Sequence, residues 1–298
     1  MDVETDIELS AMFSATSNPT VTESIKAALV NRLGKEHSSS IMALGHTMAL
    51  FLLTVYEVES RRAQQLTTIK GIFSYFYAFR DTTNGFYPVM SAILNAIFSD
   101  FTASLRSRER SELTESILED HMEFLLVHLC HRYVVLQDLS LRYICLLLED
   151  FPFLKTNAYC LNVLMKCLLT LKINLGPIDG MPVTLDTTEI RVLTSDSPLH
   201  YMLMLPLRSD ELGELYAKVK SLLSIWMRCD ETGFEEEVLI TIQKCVRALC
   251  VSRSIASPEV YSFIYQLIME DDAIKKHYTP FTDFLASSRV HCARGRVL

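Results

Sequence analysis

Residues 210–228 run DELGELYAKVKSLLSIWMR, with apolar members at Leu212, Leu215, Tyr216, Val219, Leu222, Leu223 and Trp226. Steps of three and four place these side chains on one face of an α-helix with a single buried stripe. Trp226 lies on that stripe, where a tryptophan is more often core than a binding hot spot.

The same spacing recurs on the N-terminal side. Leu161, Leu164, Leu168 and Leu171 outline a helix that Asn157 is placed to cap, and Leu113, Ile117, Phe124, Leu125 and Leu129 outline another. A helix over about 139–149 stops at Phe151-Pro152, because proline disfavours helix for the residue before it. The mixed-charge stretch Arg106 to Glu112 is expected to form a solvated connection or first turn. Further upstream, Pro88 opens a helix reaching about Leu105, and Ala63 to Phe79 is expected to be one helix closed by Asn84-Gly85. The serines at 38–40 precede an apolar helix through Met42, Leu44, Met48, Leu52 and Val55. A first helix is expected from Thr22 to Leu33, ended by Gly34 as a C-terminal cap.

Residues 173–209 break the pattern with Pro177, Pro182, Pro198 and Pro206, and brief extended pieces are expected at Val183–Leu185 and Ile190–Leu193. Beyond residue 228, Thr232 and Glu235 form a capping box for a helix burying Val238, Leu239, Ile242, Val246 and Leu249. Ser257-Pro258 and Thr279-Pro280 mark two further helix starts.

Composition agrees with helices. Only nine glycines and nine prolines punctuate 298 residues, 49% of which are hydrophobic. Against 36 acidic residues stand 28 basic ones, a formal charge of −8, and no concentrated basic run suggests nucleic-acid binding. Of the eight cysteines, Cys130, Cys145, Cys160, Cys167, Cys245 and Cys250 fall inside apolar helical patterns, where a reduced thiol behaves as a small hydrophobe. The acidic start, Met1 to Glu8, lacks the features of a signal peptide. The longest apolar run, Ile41 to Tyr56, falls short of the roughly 18–20 residues a spanning helix needs. The expected setting is therefore cytoplasmic.

Candidate chemistry is sparse. His128, Cys130 and His131, with His121 one or two turns earlier, form the best metal-like cluster. Structural zinc needs a second ligand pair at recognisable spacing, and none follows, so a helix with partly exposed histidines is the expected outcome. His131-Arg132-Tyr133 with Asp138 has a superficial likeness to a kinase catalytic loop, but its glycine-rich and metal-binding companions are missing. Glu235-Glu236-Glu237 suits the first turn of a helix, where the dipole favours negative charge. Phe73, Tyr75, Phe76, Tyr77 and Phe79 surround a whole helix, expected to be buried, with a contact surface as the alternative. No catalytic, cofactor-binding or metal-binding residue is assigned.

A family likeness emerges in the second half. Leu141-Arg142-Tyr143 through Glu149-Asp150-Phe151-Pro152-Phe153-Leu154, then Leu161 to Leu171, resembles a segment of the alpha-type (type III) phosphatidylinositol 4-kinases. The order continues through the proline-bearing excursion, the stretch Tyr201 to Pro206, the helix 210–228, Thr241-Ile242-Gln243-Lys244 and Asp283-Phe284-Leu285-Ala286-Ser287. It covers about residues 139–290, whereas residues 1–138 give no specific match. Lys155-Thr156 stands where the family has a tryptophan after Phe-Pro, and Arg289 to Leu298 does not continue the pattern.

The resemblance implies a solenoid segment of a lipid kinase, without the kinase domain. The full-length family enzyme uses MgATP to convert phosphatidylinositol to phosphatidylinositol 4-phosphate at the plasma membrane. Its solenoid supports homodimerisation and docking of tetratricopeptide-type and membrane-anchoring partners. For this chain the resemblance implies no cofactor, no transmembrane segment and a peripheral place at the plasma membrane through partners.

The expected architecture is all-α: an α-solenoid of antiparallel helix pairs (HEAT/armadillo-like), with one long proline-containing loop excursion. Its expected parts are a flexible N-terminus (1–20), helical repeats (21–172), the loop excursion (173–209) and truncated helical repeats (210–298). A globular helical bundle is the alternative fold. An unrelated HEAT/armadillo-like adaptor is the alternative function, and an enzyme of unrecognised type, centred on His121, His128 and His131, is a third.

Overall fold

A computed structural model describes residues 19–65, 67–79, 85–175, 190–191, 202–203 and 209–227. Among them the fold is all-α, apart from one two-residue antiparallel pairing. The helices are α1 (Pro19–Leu33), α2 (Ser38–Met42), α3 (His46–Gln65), α4 (Gly71–Ala78), α5 (Phe86–Arg106), α6 (Glu112–Leu129), α7 (Val134–Asp150), α8 (Ala158–Leu175) and α9 (Ser209–Met227). Strand β1 (Ile190–Arg191), on one of the stretches expected to be extended, pairs with β2 (Met202–Leu203), while Val183–Leu185 lies outside the described residues. The chain divides into two units, Met1–His121 and Met122–Leu298, with the boundary inside α6.

In the first unit, Gly34 ends α1 at a φ of 99°, the left-handed region that glycine adopts freely. α1 and α3 run in the same direction. Near their starts Thr22 Oγ1 lies 2.7 Å from His46 Nδ1; near the end of α1 Arg32 pairs with Glu57, midway along α3, at 2.9 Å and lies over the Tyr56 ring. α3 and α4 are antiparallel: Phe51 meets Phe79 with centroids 4.8 Å apart, while Glu59, two turns on, accepts from the Tyr75 hydroxyl. The Glu59 carboxylate also pairs with Arg62 at 2.6 Å, as a buried charge requires.

Two single helices expected here are each divided. The helix after Ser38–Ser40 is interrupted around Gly45, giving the short α2 and the longer α3. The helix expected over 63–79 also breaks: α3 ends at Gln65, Thr67 takes a φ of 52°, and α4 begins only at Gly71. Consecutive β-branched residues, Thr67, Thr68 and Ile69, with Gly71 two positions on, make continuous helix costly. Ile69 is buried in the resulting turn. Of the aromatic cluster, Phe73, Tyr75 and Phe76 are buried and Tyr77 is exposed. Burial of each such ring stabilises by about 1.5–3 kcal/mol.

α5 is long and apolar enough to cross a membrane by length and composition alone. In this fold it is a core helix. It packs on α1, α3 and α4, burying Val89, Ile93, Ile97, Phe101 and Leu105, and it shows Ser99, Asp100 and Arg106 to solvent.

In the second unit, the later part of α6 runs in the same direction as α8. The Tyr159 hydroxyl donates to the Glu123 carboxylate near one end, and Cys167 lies against Cys130 and the Leu126 carbonyl near the other. α7 begins at Val134, five residues before the expected start, and ends where Pro152 forces a 3₁₀ turn (Pro152–Lys155). Asn157 caps α8 as expected, its Oδ1 accepting the Cys160 N–H at 3.0 Å. α9 runs antiparallel to α8, so that Trp226, near the α9 C-terminus, donates its indole N–H to the Lys155 carbonyl at 3.0 Å. Trp226 is wholly buried, as its place on the stripe predicts.

The capping box at Thr232 and Glu235, the run Glu235-Glu236-Glu237, Cys245, Cys250, the helix starts at Ser257-Pro258 and Thr279-Pro280, and Asp283–Ser287 lie outside the described residues.

Candidate functional site

The turn joining α6 to α7 gathers the polar residues that the sequence marks for attention. Backbone bonds from Cys130 N to Val127 O and from His131 N to His128 O, both 3.1 Å, close the end of α6. Tyr133, in extended conformation, then precedes Val134. The His131 ring lies in this turn with Nδ1 accepting the Tyr133 N–H at 3.1 Å, an acceptor role that requires Nδ1 to carry no proton. Burial holds the imidazole down, to about 4, and the neighbouring His128 and Arg132 push the same way. The backbone carbonyl of His131 accepts from Gln137 Nε2 at 2.7 Å.

Gln137 passes the connection onward. Its Oε1 accepts from Lys218 Nζ at 3.0 Å, and Lys218 also pairs with Asp138 at 2.7 Å. Lys218 stands on α9, so one amide and one ion pair tie the α6–α7 turn to that helix. Arg132 lies over the Tyr133 ring, 5.0 Å from its centroid. His128 stacks parallel to His131 at 6.4 Å, and its Nδ1 lies 2.8 Å from the Phe124 carbonyl one turn back.

His121 belongs to the packing of the first unit. Its Nδ1 lies 2.7 Å from the Ile117 carbonyl, and its Nε2 accepts the Ile69 N–H at 3.3 Å. Both ring nitrogens are thus committed, and the ring rests on Phe101 with centroids 4.8 Å apart. Burial lowers its pKa, while the Ile117 carbonyl opposes the shift. The expectation of partly exposed histidines is corrected: His121 and His131 are buried and only His128 is half-exposed, because each buried ring satisfies a backbone amide that a helix break would orphan. Cys130 is also buried; its thiol interacts with Cys167, which together with burial raises its pKa.

This arrangement is a structural brace. Neutral imidazoles accept backbone amides, and a polar network joins one turn to one helix. Among the described residues, no group of three or more His, Cys, Asp or Glu side chains is placed to hold a metal ion. Asp138, from the kinase-loop likeness, is an ion-pair partner of Lys218. The sequence reading missed Gln137, Lys218, Glu123 and Glu59. Gln137 did leave a signal, as a polar residue in helical register with Leu136, Ser140 and Ile144, all buried.

Helices held by buried polar braces are consistent with a supporting role, and a family assignment agrees. The model of the PI4-kinase N-terminal region matches residues 3–188. The chain belongs to that family. The match coincides with the noted resemblance over 139–188 and extends it across the first helices, where the sequence alone suggested no relative. The whole α6–α7 turn therefore lies within the PI4-kinase N-terminal region. The matched family is defined on an N-terminal region of PI4-kinases, so this chain is a PI4-kinase-related helical segment.

Proposed function

We propose that the chain is a scaffold segment of an alpha-type phosphatidylinositol 4-kinase, a stack of antiparallel helix pairs that carries the enzyme and docks its partners. The observation that carries this reading is the match of the PI4-kinase N-terminal region over residues 3–188. The packing supports it: α6 runs beside α8 in the same direction, and α9 returns along α8, the arrangement of successive helix pairs in a solenoid. In this reading the full-length enzyme transfers phosphate from MgATP to phosphatidylinositol at the plasma membrane. The chain itself takes no cofactor there. Tetratricopeptide-type and membrane-anchoring proteins, or a second copy, dock on the solenoid, and the chain is cytoplasmic and peripheral to the membrane.

The test is an immunoprecipitation of the endogenous protein with antibodies against residues 19–175, followed by a phosphatidylinositol kinase assay with labelled ATP. Labelled phosphatidylinositol 4-phosphate above the control precipitate is expected. A precipitate that contains the protein but makes no such product overturns the lipid-kinase assignment and leaves an independent helical adaptor.

A further inference from the structure

The connection between α5 and α6 has the sequence Arg106-Ser107-Arg108-Glu109-Arg110-Ser111-Glu112. Every residue from Arg106 to Leu113 is exposed, and residues 109–111 have no regular structure. Ser111 is preceded by arginine at one, three and five positions, and no other serine or threonine in the chain has arginine at both three and five. We propose that Ser111 is a phosphorylation site for a basophilic serine/threonine protein kinase.

Three observations support this. Recognition comes first: guanidinium groups three and five residues before the acceptor suit the carboxylate-lined subsites of such a kinase, since arginine pairs with carboxylates in a bidentate fork. Neighbouring hydroxyls lack the pattern. Ser107 has Ser104 and Thr102 at those positions and donates its hydroxyl to the Ser104 carbonyl at 2.8 Å, while Thr114 is buried.

Accessibility is the second. A kinase needs an extended acceptor segment, and here only the terminal turns of α5 and α6 must fray around an already irregular stretch. The third is consequence. Ser111 is the N-cap of α6: its Oγ accepts the Thr114 N–H at 3.3 Å and its carbonyl accepts the Glu115 N–H at 2.9 Å. A phosphate on that oxygen places negative charge at the positive end of the helix dipole. Arg110, adjacent in sequence and paired with Glu115 at 2.5 Å, is within reach of it. Glu112 and Glu115 in the same turn oppose the added charge, so the modification re-pairs Arg110 rather than simply tightening the cap.

In the reaction Ser111 Oγ attacks the γ-phosphorus of MgATP. The Oγ–P bond forms, the bond to the β,γ-bridging oxygen breaks, ADP leaves, and the hydroxyl proton passes to a carboxylate of the kinase.

The test incubates the whole 298-residue chain with labelled MgATP and a recombinant kinase selective for arginine at three and five residues before the acceptor, then maps the phosphopeptides. Incorporation at Ser111 is expected. Arg108→Ala and Arg106→Ala should each lower kcat/KM about tenfold, the size of one lost charge-assisted contact. Circular dichroism confirms that both variants fold, and both leave the capping hydroxyl in place. No incorporation, incorporation mapped elsewhere, or labelling of Ser111 that neither arginine variant slows overturns the proposal.

Discussion

His131 shows how a residue suggestive of chemistry is used for structure. Its Nδ1 must stay unprotonated to accept the Tyr133 N–H, and its pKa falls from 6.5 to about 4 in the folded chain. Between those values the unfolded chain binds more protons than the folded one, so stability falls as the solution is acidified. The contribution is fully present above the unfolded value of 6.5 and is lost as pH falls toward about 4. His131→Asn places an amide oxygen close to where Nδ1 lies, keeping the acceptor and removing the titration. Denaturant unfolding of both proteins across that interval should give a steeper pH dependence for the parent. Parallel curves would show that the imidazole does not carry the effect. His121 titrates in the same direction and remains in both proteins, so it cancels in the comparison. At this scale the sequence reveals little: it shows that histidines stand at 121, 128 and 131, but not that Ile69, 52 positions from His121, supplies an amide for one to accept.

Helical elements were legible wherever one stripe sufficed to define them. Leu212 to Trp226 predicts α9 to within a residue at each end, and Phe151-Pro152 predicts the end of α7. Elsewhere tertiary contacts override the local pattern. Exposed Val134 and Val135 begin α7 despite poor helix propensity, because Leu136 and Gln137 in the same first turn are buried. The break at 67–70 gives Ile69 a buried place and its amide a partner. Trp226 tests how much one such long-range tie stabilises an element. Trp226→Phe removes the donor to the Lys155 carbonyl and leaves a cavity between α9 and the turn before α8. The expected loss is about 2–4 kcal/mol in denaturant unfolding followed by circular dichroism. A loss under about 0.5 kcal/mol, the range of ordinary surface changes, would mean that α9 does not depend on this anchor. Trp226 is also the sole tryptophan, so fluorescence of the parent should show the blue-shifted emission of a buried indole that reddens on unfolding.

At the scale of the molecule, membership in a PI4-kinase N-terminal region raises the question of how the second unit comes apart. Helix-pair stacks hold together through nearest neighbours, so opening need not be global. Four cysteines report on it: Cys130 in the turn directly after α6, Cys145 on α7, and Cys160 and Cys167 on α8, all unbridged. Cys130, Cys160 and Cys167 are fully buried and Cys145 is half-exposed. Burial pushes the Cys145 thiol up, and contact with Cys167 together with burial raises Cys130, so access and low thiolate content both slow their reaction. Pulsed alkylation with mass-spectrometric readout should modify Cys145 first. Cys130 and Cys167 should follow together, at one rate, because their thiols meet between α6 and α8 and neither is exposed without the other. Cys160 lies about two turns before Cys167 on the same α8 and should share that rate if α8 leaves as a unit. Should Cys167 label while Cys130 stays protected, α8 would be separating without uncovering α6, and the side-by-side packing that supports the solenoid reading would fail with it.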